Sequence, residues 1–310
     1  MSLQLVHVQI ISAGGYKTRA MDEMETTRTV QAARGEITDI DGVTFARSVS
    51  AITIVADQTL ITNPERTAAF VAPILGMSVN DVAQQITGTK RYSIVLKNAR
   101  PAIWDKLVAA TENYNKTLSN KDLDKRIVGF FPERSYIREY PSGSLIASLI
   151  GFVRADGIGA TGLESSMNTT LTGTAGKYSY ARGNGAEIPG SQTELVEPKQ
   201  GTNIRLTINR DVQWVSSRAI SELVKQTGAL SGTVIVMDPK TGAIVAHATA
   251  PTFDPNNTKD VSLNLMRNPS VQDVYEPGST GKVMTMAAAL EEGKITPTTV
   301  FTVPYKLKVA

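Results

Sequence analysis

The stretch from residue 127 to 200 limits this chain's fold more than any other feature. It is rich in glycine, serine and proline and contains Tyr140-Pro141-Ser142-Gly143, Gly157-Ile158-Gly159 and Gly183-Asn184-Gly185. Such residues supply turns and interrupt regular elements, so the stretch predicts loop-heavy structure and not a compact helical unit. A segment of this kind needs patterned neighbours to provide a core. With 310 residues there is room for two domains of ordinary size, and 41% apolar with 20% charged residues fits a folded chain. No internal repeat stands out.

Upstream, residues 3–11 alternate loosely between apolar and polar side chains and predict a strand, while residues 15–33 are polar and predict helix in part. Residues 34–42 predict a strand running into the Asp41-Gly42 turn, and the β-branched run 48–55 predicts its return strand. Asn63-Pro64-Glu65 combines a cap with an early proline. The helix it opens carries Ala68, Val71, Ala72 and Leu75 at helical spacing. Residues 78–86 and 101–111 predict two more helices.

Downstream, Glu197-Pro198-Lys199-Gln200-Gly201 reads as a linker. A short strand over 203–208 follows, then a helix capped near Asn209 or Asp211 that stops near Gly228. Val212, Val215, Ala219, Ile220 and Leu223 are expected on its apolar face. A hairpin comes next: a buried strand over 233–237, a turn at Asp238-Pro239-Lys240-Thr241-Gly242, and a return strand over 243–248. A polar loop runs from Pro251 to about Asp260. Then come Glu276-Pro277-Gly278-Ser279-Thr280-Gly281-Lys282 and a helix over 283–292 that ends at Gly293.

The candidate chemistry lies in Ser279 and Lys282. A spacing of three places both on one face at the start of an apolar, alanine-rich helix. A serine hydroxyl is a poor nucleophile until a neighbour accepts its proton, and a lysine whose amine is kept neutral by burial or nearby charge can do so. The helix start adds free backbone N–H groups that favour negative charge on an attacked carbonyl. A bare S-x-x-K is otherwise no more than a helix cap followed by a solvated lysine. The only histidines are His7 and His247, the latter within a strand, which leaves a Ser-His-Asp triad little support. The chain has no cysteine, so thiol catalysis, disulfides and cysteine-based metal sites are excluded. A formal net charge of +3, with no basic run, gives no basis for nucleic-acid binding.

The surroundings of Ser279 carry a resemblance. Tyr275-Glu276-Pro277-Gly278-Ser279-Thr280-Gly281-Lys282 resembles the nucleophile segment of penicillin-binding proteins. The hairpin from Val234 to Ala246 is similar to the opening of their transpeptidase fold. Three upstream segments are similar to the non-catalytic domain of class B members. They are Arg34-Gly35-Glu36-Ile37-Thr38-Asp39; Arg138-Glu139-Tyr140-Pro141-Ser142-Gly143 with Leu149-Ile150-Gly151-Phe152-Val153; and Gly162-Leu163-Glu164 with Leu171-Thr172-Gly173-Thr174-Ala175-Gly176. The order of motifs resembles the division-septum transpeptidases more than the elongation ones.

The resemblance implies an α+β protein. Residues 1–200 form an elongated, loop-rich pedestal of the dimerisation type, and residues 201–310 begin a penicillin-binding, serine β-lactamase-like transpeptidase domain. It implies Ser279 as nucleophile and Lys282 as general base of a peptidoglycan D,D-transpeptidase, with no metal or organic cofactor. Peptidoglycan stem peptides, β-lactam antibiotics and divisome membrane proteins are the implied partners, and nucleic acid is not. Arg34, Asp39, Arg138 and Glu164 are expected to be scaffold, joining the pedestal to the catalytic domain.

The family's S-x-N and K-T/S-G motifs belong downstream of Ser279. Ser166-Met167-Asn168 and Lys240-Thr241-Gly242 lie upstream of it and are expected to be decoys. With those motifs placed beyond Ala310, residues 1–310 by themselves are expected to be inactive and not efficiently acylated by penicillin. Two rivals remain open at this point: a serine β-lactamase or β-lactam sensor, against which the long pedestal argues, and a non-catalytic scaffold. No stretch reaches the roughly 20 apolar residues of a membrane span. Either the protein has no anchor, or a single N-terminal anchor precedes this stretch and holds the domains outside the cytoplasmic membrane.

Overall fold

A computed structural model describes residues 25–119, 121–183, 186–187 and 193–306. The strand expected over 3–11 lies outside the described residues, as does the first part of 15–33. Contacts divide the chain into two units, Met1–Asn268 and Pro269–Ala310.

The first unit is organised around one long strand. β1 (Glu25–Val30), β2 (Ile37–Thr38) and β3 (Thr44–Ala56) lead into α1 (Pro64–Leu75), α2 (Val79–Ile86), β4 (Ser93–Ala99) and α3 (Pro101–Lys116). β5 (Phe130–Glu139) then pairs antiparallel with β3 along its length, from Arg47 opposite Glu139 to Ala56 opposite Phe130. β4 pairs with the far end of β3, and β2 with its near end. The Asp41-Gly42 turn between β2 and β3 is the expected hairpin, and Gly42 has a φ of 86°.

Local signals explain the helices here. The Asn63 side chain accepts from the Arg66 N–H to cap α1, and the Ser78 hydroxyl accepts from the Asp81 N–H to cap α2. Ala68, Val71, Ala72 and Leu75 are buried as their spacing predicts. They meet Ile54, Val82, Ile86 and Leu107 in one core. Fully burying a side chain of this size stabilises by about 1.5–3 kcal/mol, so Val71→Asp is the kind of change that would empty this layer.

Two expectations are corrected in this part. Residues 25–30, within the stretch expected to be partly helical, form strand β1. Thr27, Thr29 and Val30 are β-branched, and the strand pairs antiparallel with β6 (Gly176–Gly183). Within the loop-heavy stretch, β5 runs for 10 residues through Pro132 and several charges. Its strand character comes from pairing with β3, a partner distant in sequence. Between β5 and β6 that stretch is loops and short helices: α4 (Ala147–Ile150), α5 (Gly162–Ser166) and α6 (Asn168–Leu171). After β6, β7 (Ala186–Glu187) and β8 (Thr193–Val196) both pair with it.

β9 (Ile204–Arg205) pairs parallel with β2 and extends the main sheet. α7 (Arg210–Thr227) follows, capped by Asn209 and ended by Gly228 at a φ of 68°. β10 (Gly232–Met237) and β11 (Ile244–Ala250) form the expected hairpin, against which α7 packs. The buried face of α7 differs from the expected one. Ile220 is buried, but Val215, Ala219 and Leu223 are exposed, and Gln213 and Ser216 turn inward instead. β10 is likewise half exposed, with Ile235 and Met237 facing out, whereas β11 is buried from Ala246 to Ala250.

The second unit holds α8 (Pro269–Gln272), a 3-10 turn at Gly278–Gly281, and α9 (Lys282–Glu291). α9 ends as expected at Gly293. The Gly293 N–H donates to the Leu290 carbonyl at 3.1 Å and the Lys294 N–H to the Ala289 carbonyl at 2.9 Å, a Schellman pair of bonds.

Candidate active site

Ser279 lies in a tight helical turn that leads directly into α9. Gly278 precedes it at a φ of 57°, in the left-handed region that favours glycine. This turn redirects the chain, and the Thr280 N–H then donates to the Pro277 carbonyl at 3.3 Å, joined by the Thr280 hydroxyl. The Lys282 N–H donates to the Ser279 carbonyl, so the two residues are one turn apart. In a 3-10 turn, side chains three apart eclipse one another, which sets both on one face. The finding refines the sequence reading: Ser279 opens a helical segment, but its first turn is wound tighter than an α-helix, which begins at Lys282. Both side chains are exposed, and neither makes a hydrogen bond or ion pair among the described residues.

The scaffold residues are held differently. Glu164 is fully buried, at 0% exposure. Arg34 Nε donates to its Oε2 at 2.5 Å, and Arg138 Nε donates to its Oε1 at 2.7 Å. The Tyr140 hydroxyl is 3.4 Å from Oε1 and accepts from the Val153 N–H at 2.9 Å. Burial, then the Glu164 charge, pushes the Tyr140 phenol far above its ordinary value. Arg34 also reaches the Glu164 carbonyl at 2.6 Å, Asn168 Oδ1 at 2.9 Å and Thr172 Oγ1 at 2.8 Å. Two cations on one carboxylate, with its remaining contacts filled by neutral donors, is the arrangement that lets a charge be buried.

Backbone geometry fixes this cluster. Gly162, at a φ of 57°, starts α5, and a Cβ there would lie 2.5 Å from the Leu149 carbonyl oxygen. Close packing against the turn after α4 therefore requires glycine at this position. Asn168, the last residue of the Ser166-Met167-Asn168 string, accepts from Arg34 and, at 3.1 Å, from the Gly159 N–H. Its carbonyl is thus a structural acceptor.

Asp39 connects the β2–β3 turn to the start of α7. Its Oδ1 accepts from the Asp41 N–H at 2.9 Å and the Val43 N–H at 2.7 Å, while Oδ2 accepts from the Arg210 N–H at 3.3 Å. A carboxylate at a helix N-terminus also meets the positive end of the helix dipole. A nearby contact was not foreseen from sequence. Gln213 is fully buried in α7. Its amide donates to the Leu145 and His247 carbonyls, each at 3.0 Å, and accepts from the His247 N–H at 2.7 Å. Burial holds the His247 imidazole below its ordinary value. A polar residue at a helix position between apolar ones was the one signal for Gln213.

Lys240-Thr241-Gly242 forms the exposed turn of the β10–β11 hairpin. Asp238 closes it, accepting from the Lys240 N–H at 2.9 Å and the Thr241 hydroxyl at 2.8 Å. The hydrogen bond from the Lys240 backbone N–H, and then that from the Thr241 hydroxyl, hold the Asp238 carboxyl below its usual range.

Known proteins agree in both halves of the chain. Residues 29–206 match the family described as Penicillin-binding Protein dimerisation domain, and residues 232–309 match the Penicillin binding protein transpeptidase domain. The chain is 30% identical over 326 residues to penicillin-binding protein PbpB of Mycolicibacterium smegmatis, covering 98% of this chain and 49% of that protein. It is 29% identical over 294 residues to stage V sporulation protein D of Bacillus subtilis, covering 94% and 44%. Among solved structures it is similar to a peptidoglycan synthetase from Bifidobacterium adolescentis, with a TM-score of 0.61, 29% identity, and coverage of 92% and 54%. Penicillin Binding Protein 2X from Streptococcus thermophilus shares the fold, with a TM-score of 0.62 at 23% identity and coverage of 92% and 44%. The chain spans about half the length of the curated relatives it matches. With the dimerisation-domain match alone covering residues 29–206, more than half of the sequence, and the transpeptidase match following in order, the chain belongs to the class B penicillin-binding proteins.

Proposed function

We propose that the whole protein is a septal peptidoglycan D,D-transpeptidase, with Ser279 as nucleophile and Lys282 as general base. The carrying observation is the single helical turn that links the two residues within the transpeptidase match, residues 232–309. In this reading Ser279 Oγ attacks the carbonyl of the D-Ala-D-Ala bond of a stem peptide. The Lys282 amine takes the hydroxyl proton and delivers it to the departing D-alanine nitrogen. The first N–H groups of a helical segment have no acceptor within it, and such donors stabilise the developing oxyanion. An amine of a second stem then attacks the acyl-enzyme, which forms the crosslink and restores Ser279. A β-lactam acylates the same oxygen, and its opened ring stays attached.

Residues 1–200 act as the pedestal and residues 201–310 as the start of the catalytic domain, with the junction at the Glu197–Gly201 linker. The end of the dimerisation-domain match at residue 206 and the start of the transpeptidase match at residue 232 support this division. Among the described residues no helix is long and apolar enough to cross a membrane. We place both domains outside the cytoplasmic membrane on a single N-terminal anchor, among divisome membrane proteins, because the wall substrate lies there.

The test is labelling of the whole protein by a fluorescent penicillin. Ser279→Ala abolishes labelling, and Lys282→Ala slows it by about 10²–10⁴-fold, the usual contribution of a positioned base. Undiminished labelling of Ser279→Ala would overturn the assignment.

A further inference from the structure

A cavity of about 730 Å³ in the first unit is lined by β1, β6 and the facing ends of β3 and β5, with Trp104 contributed by α3. Its size falls within the roughly 300–1,000 Å³ of small-ligand sites. Tyr92, Trp104, Phe131, Tyr178 and Tyr180 line it, a concentration far above the 6% aromatic content of the whole chain. The Tyr178 and Tyr180 rings lie 5.8 Å apart, and the Arg28 guanidinium sits 5.2 Å from the Tyr180 ring centroid.

Charge in the cavity is unevenly committed. Glu133 is occupied by Arg28 at 3.4 Å and by the Tyr92 hydroxyl at 2.9 Å. Burial, then the Glu133 hydrogen bond, pushes the Tyr92 phenol up to about 12, so it remains a neutral donor. The second carboxylate, Asp57, accepts from the Thr59 N–H at 3.0 Å and the Thr59 hydroxyl at 2.6 Å. Arg91, Arg134 and Lys177 line the same cavity, are exposed, and have no carboxylate partner among the described residues.

We propose that this cavity binds a carboxylate-bearing glycan, with sugar rings on the tyrosine and tryptophan faces and carboxylates on Arg91, Arg134 and Lys177. Sugar rings present C–H groups to aromatic faces, and a guanidinium fork matches a carboxylate. An acidic peptide would use the cations but not the concentration of rings. The choice of a glycan also rests on the cell-wall reading above. The pedestal thereby holds a strand of the wall at a site separate from the catalytic serine.

Trp104 lines the cavity, so the part of a tryptophan emission change that Trp104→Phe removes reports on this site. The whole protein, with and without that substitution, is titrated with peptide-free peptidoglycan strands, which carry free lactyl carboxylates. Neutral chitotetraose and poly-glutamate are titrated alongside. The expected result is a saturable change in Trp104 emission with the wall strands, and at least about tenfold weaker binding of the other two. Arg91→Ala with Lys177→Ala, both on the exposed rim, weakens strand binding about tenfold. Tyr178→Ala weakens it as well, while penicillin labelling of Ser279 stays unchanged. No saturable change, or equal binding by chitotetraose or poly-glutamate, overturns the proposal. Strand binding with no penicillin labelling leaves this site standing and removes the catalytic reading, and labelling with no strand binding does the reverse.

Discussion

Glu164 and Ser279 represent two opposite ways of placing a reactive group in a protein. Glu164 carries a full charge at 0% exposure, enclosed by Arg34, Arg138 and Tyr140. Ser279 and Lys282 are exposed, and only the turn of backbone between them relates one to the other. The first arrangement depends on partners distant in sequence, with Arg34 and Glu164 separated by 130 positions. The second is written in four consecutive residues. In this chain the buried scaffold is drawn from distant positions, whereas the candidate nucleophile and base are neighbours in sequence.

The largest effect on stability should follow from Glu164→Ala. It leaves two buried guanidinium groups facing each other without a counter-charge, and breaking a buried pair costs about 3–5 kcal/mol. Arg138 is the less adaptable partner, since its Nη2 is already buried without an acceptor. Denaturant unfolding measures the loss, with Glu139→Ala as the control. Glu139 pairs with Arg47 at 2.7 Å, but both side chains are more than 40% exposed, so its removal should cost no more than about 1 kcal/mol. Equal losses in the two variants would break the contrast between buried and exposed charge.

Gln213→Leu comes next. It keeps the side-chain bulk but removes the side-chain partner of the His247 carbonyl and N–H, while the Leu145 carbonyl keeps the Ser217 hydroxyl at 3.2 Å. Unsatisfied buried groups cost about 1–3 kcal/mol each, and partial relaxation should hold the total to about 2–3 kcal/mol. A loss under about 0.5 kcal/mol would show that the bridge from α7 to β11 is incidental.

These residues also show what sequence could and could not reveal. Asn63 and Asn209 announced their helices because a cap acts on backbone within three residues of itself. Gly293 announced its helix end for the same reason. β5 gave no such signal, because Phe-Phe-Pro-Glu-Arg-Ser-Tyr-Ile-Arg-Glu has no clean alternation, and its strand exists through β3. The α7 face was misread because apolar content stood in for burial. Gln213 faces inward because the Leu145 and His247 backbone it meets needs polar partners, and Ser216 turns inward beside it, while Val215 and Leu223 stay exposed. For the candidate site, the Ser279–Lys282 turn was legible and its tight winding was not. Asp39 joins the two parts through Arg210 as expected, whereas the contacts of Arg34, Arg138 and Glu164 stay within residues 1–200, and the sharing of one buried carboxylate by two arginines was not legible.

A pH effect should be smaller than either substitution. Burial holds the folded His247 imidazole below its ordinary value of about 6.5. Between those two values the unfolded chain binds a proton that the folded chain does not, so stability falls as the pH drops. The contribution is fully present above about pH 6.5 and is lost as acidity approaches the folded value. In a His7→Gln background, the remaining imidazole can be followed by NMR, and a midpoint at or above 6.5 would contradict the burial argument.

The smallest effect is expected from Lys240→Ala, and its smallness is informative. Lys240-Thr241-Gly242 is a literal copy of a catalytic string, yet it lies in the exposed hairpin turn between β10 and β11. The turn is closed by Asp238, which accepts from the Lys240 backbone N–H and the Thr241 hydroxyl. Alanine preserves that N–H, so the turn should form as before. The lost ammonium has no carboxylate within ion-pair distance among the described residues. Exposed substitutions of this kind stay within about 0.5 kcal/mol. Penicillin labelling of the whole protein at Ser279 should be unchanged too, whereas Asp238→Ala, which removes the closing acceptor, should lower stability more than Lys240→Ala does. A Lys240→Ala protein that folds normally but loses labelling would mean that the string is not a decoy, and the local reading of Ser279 with Lys282 would then need a third residue from this hairpin.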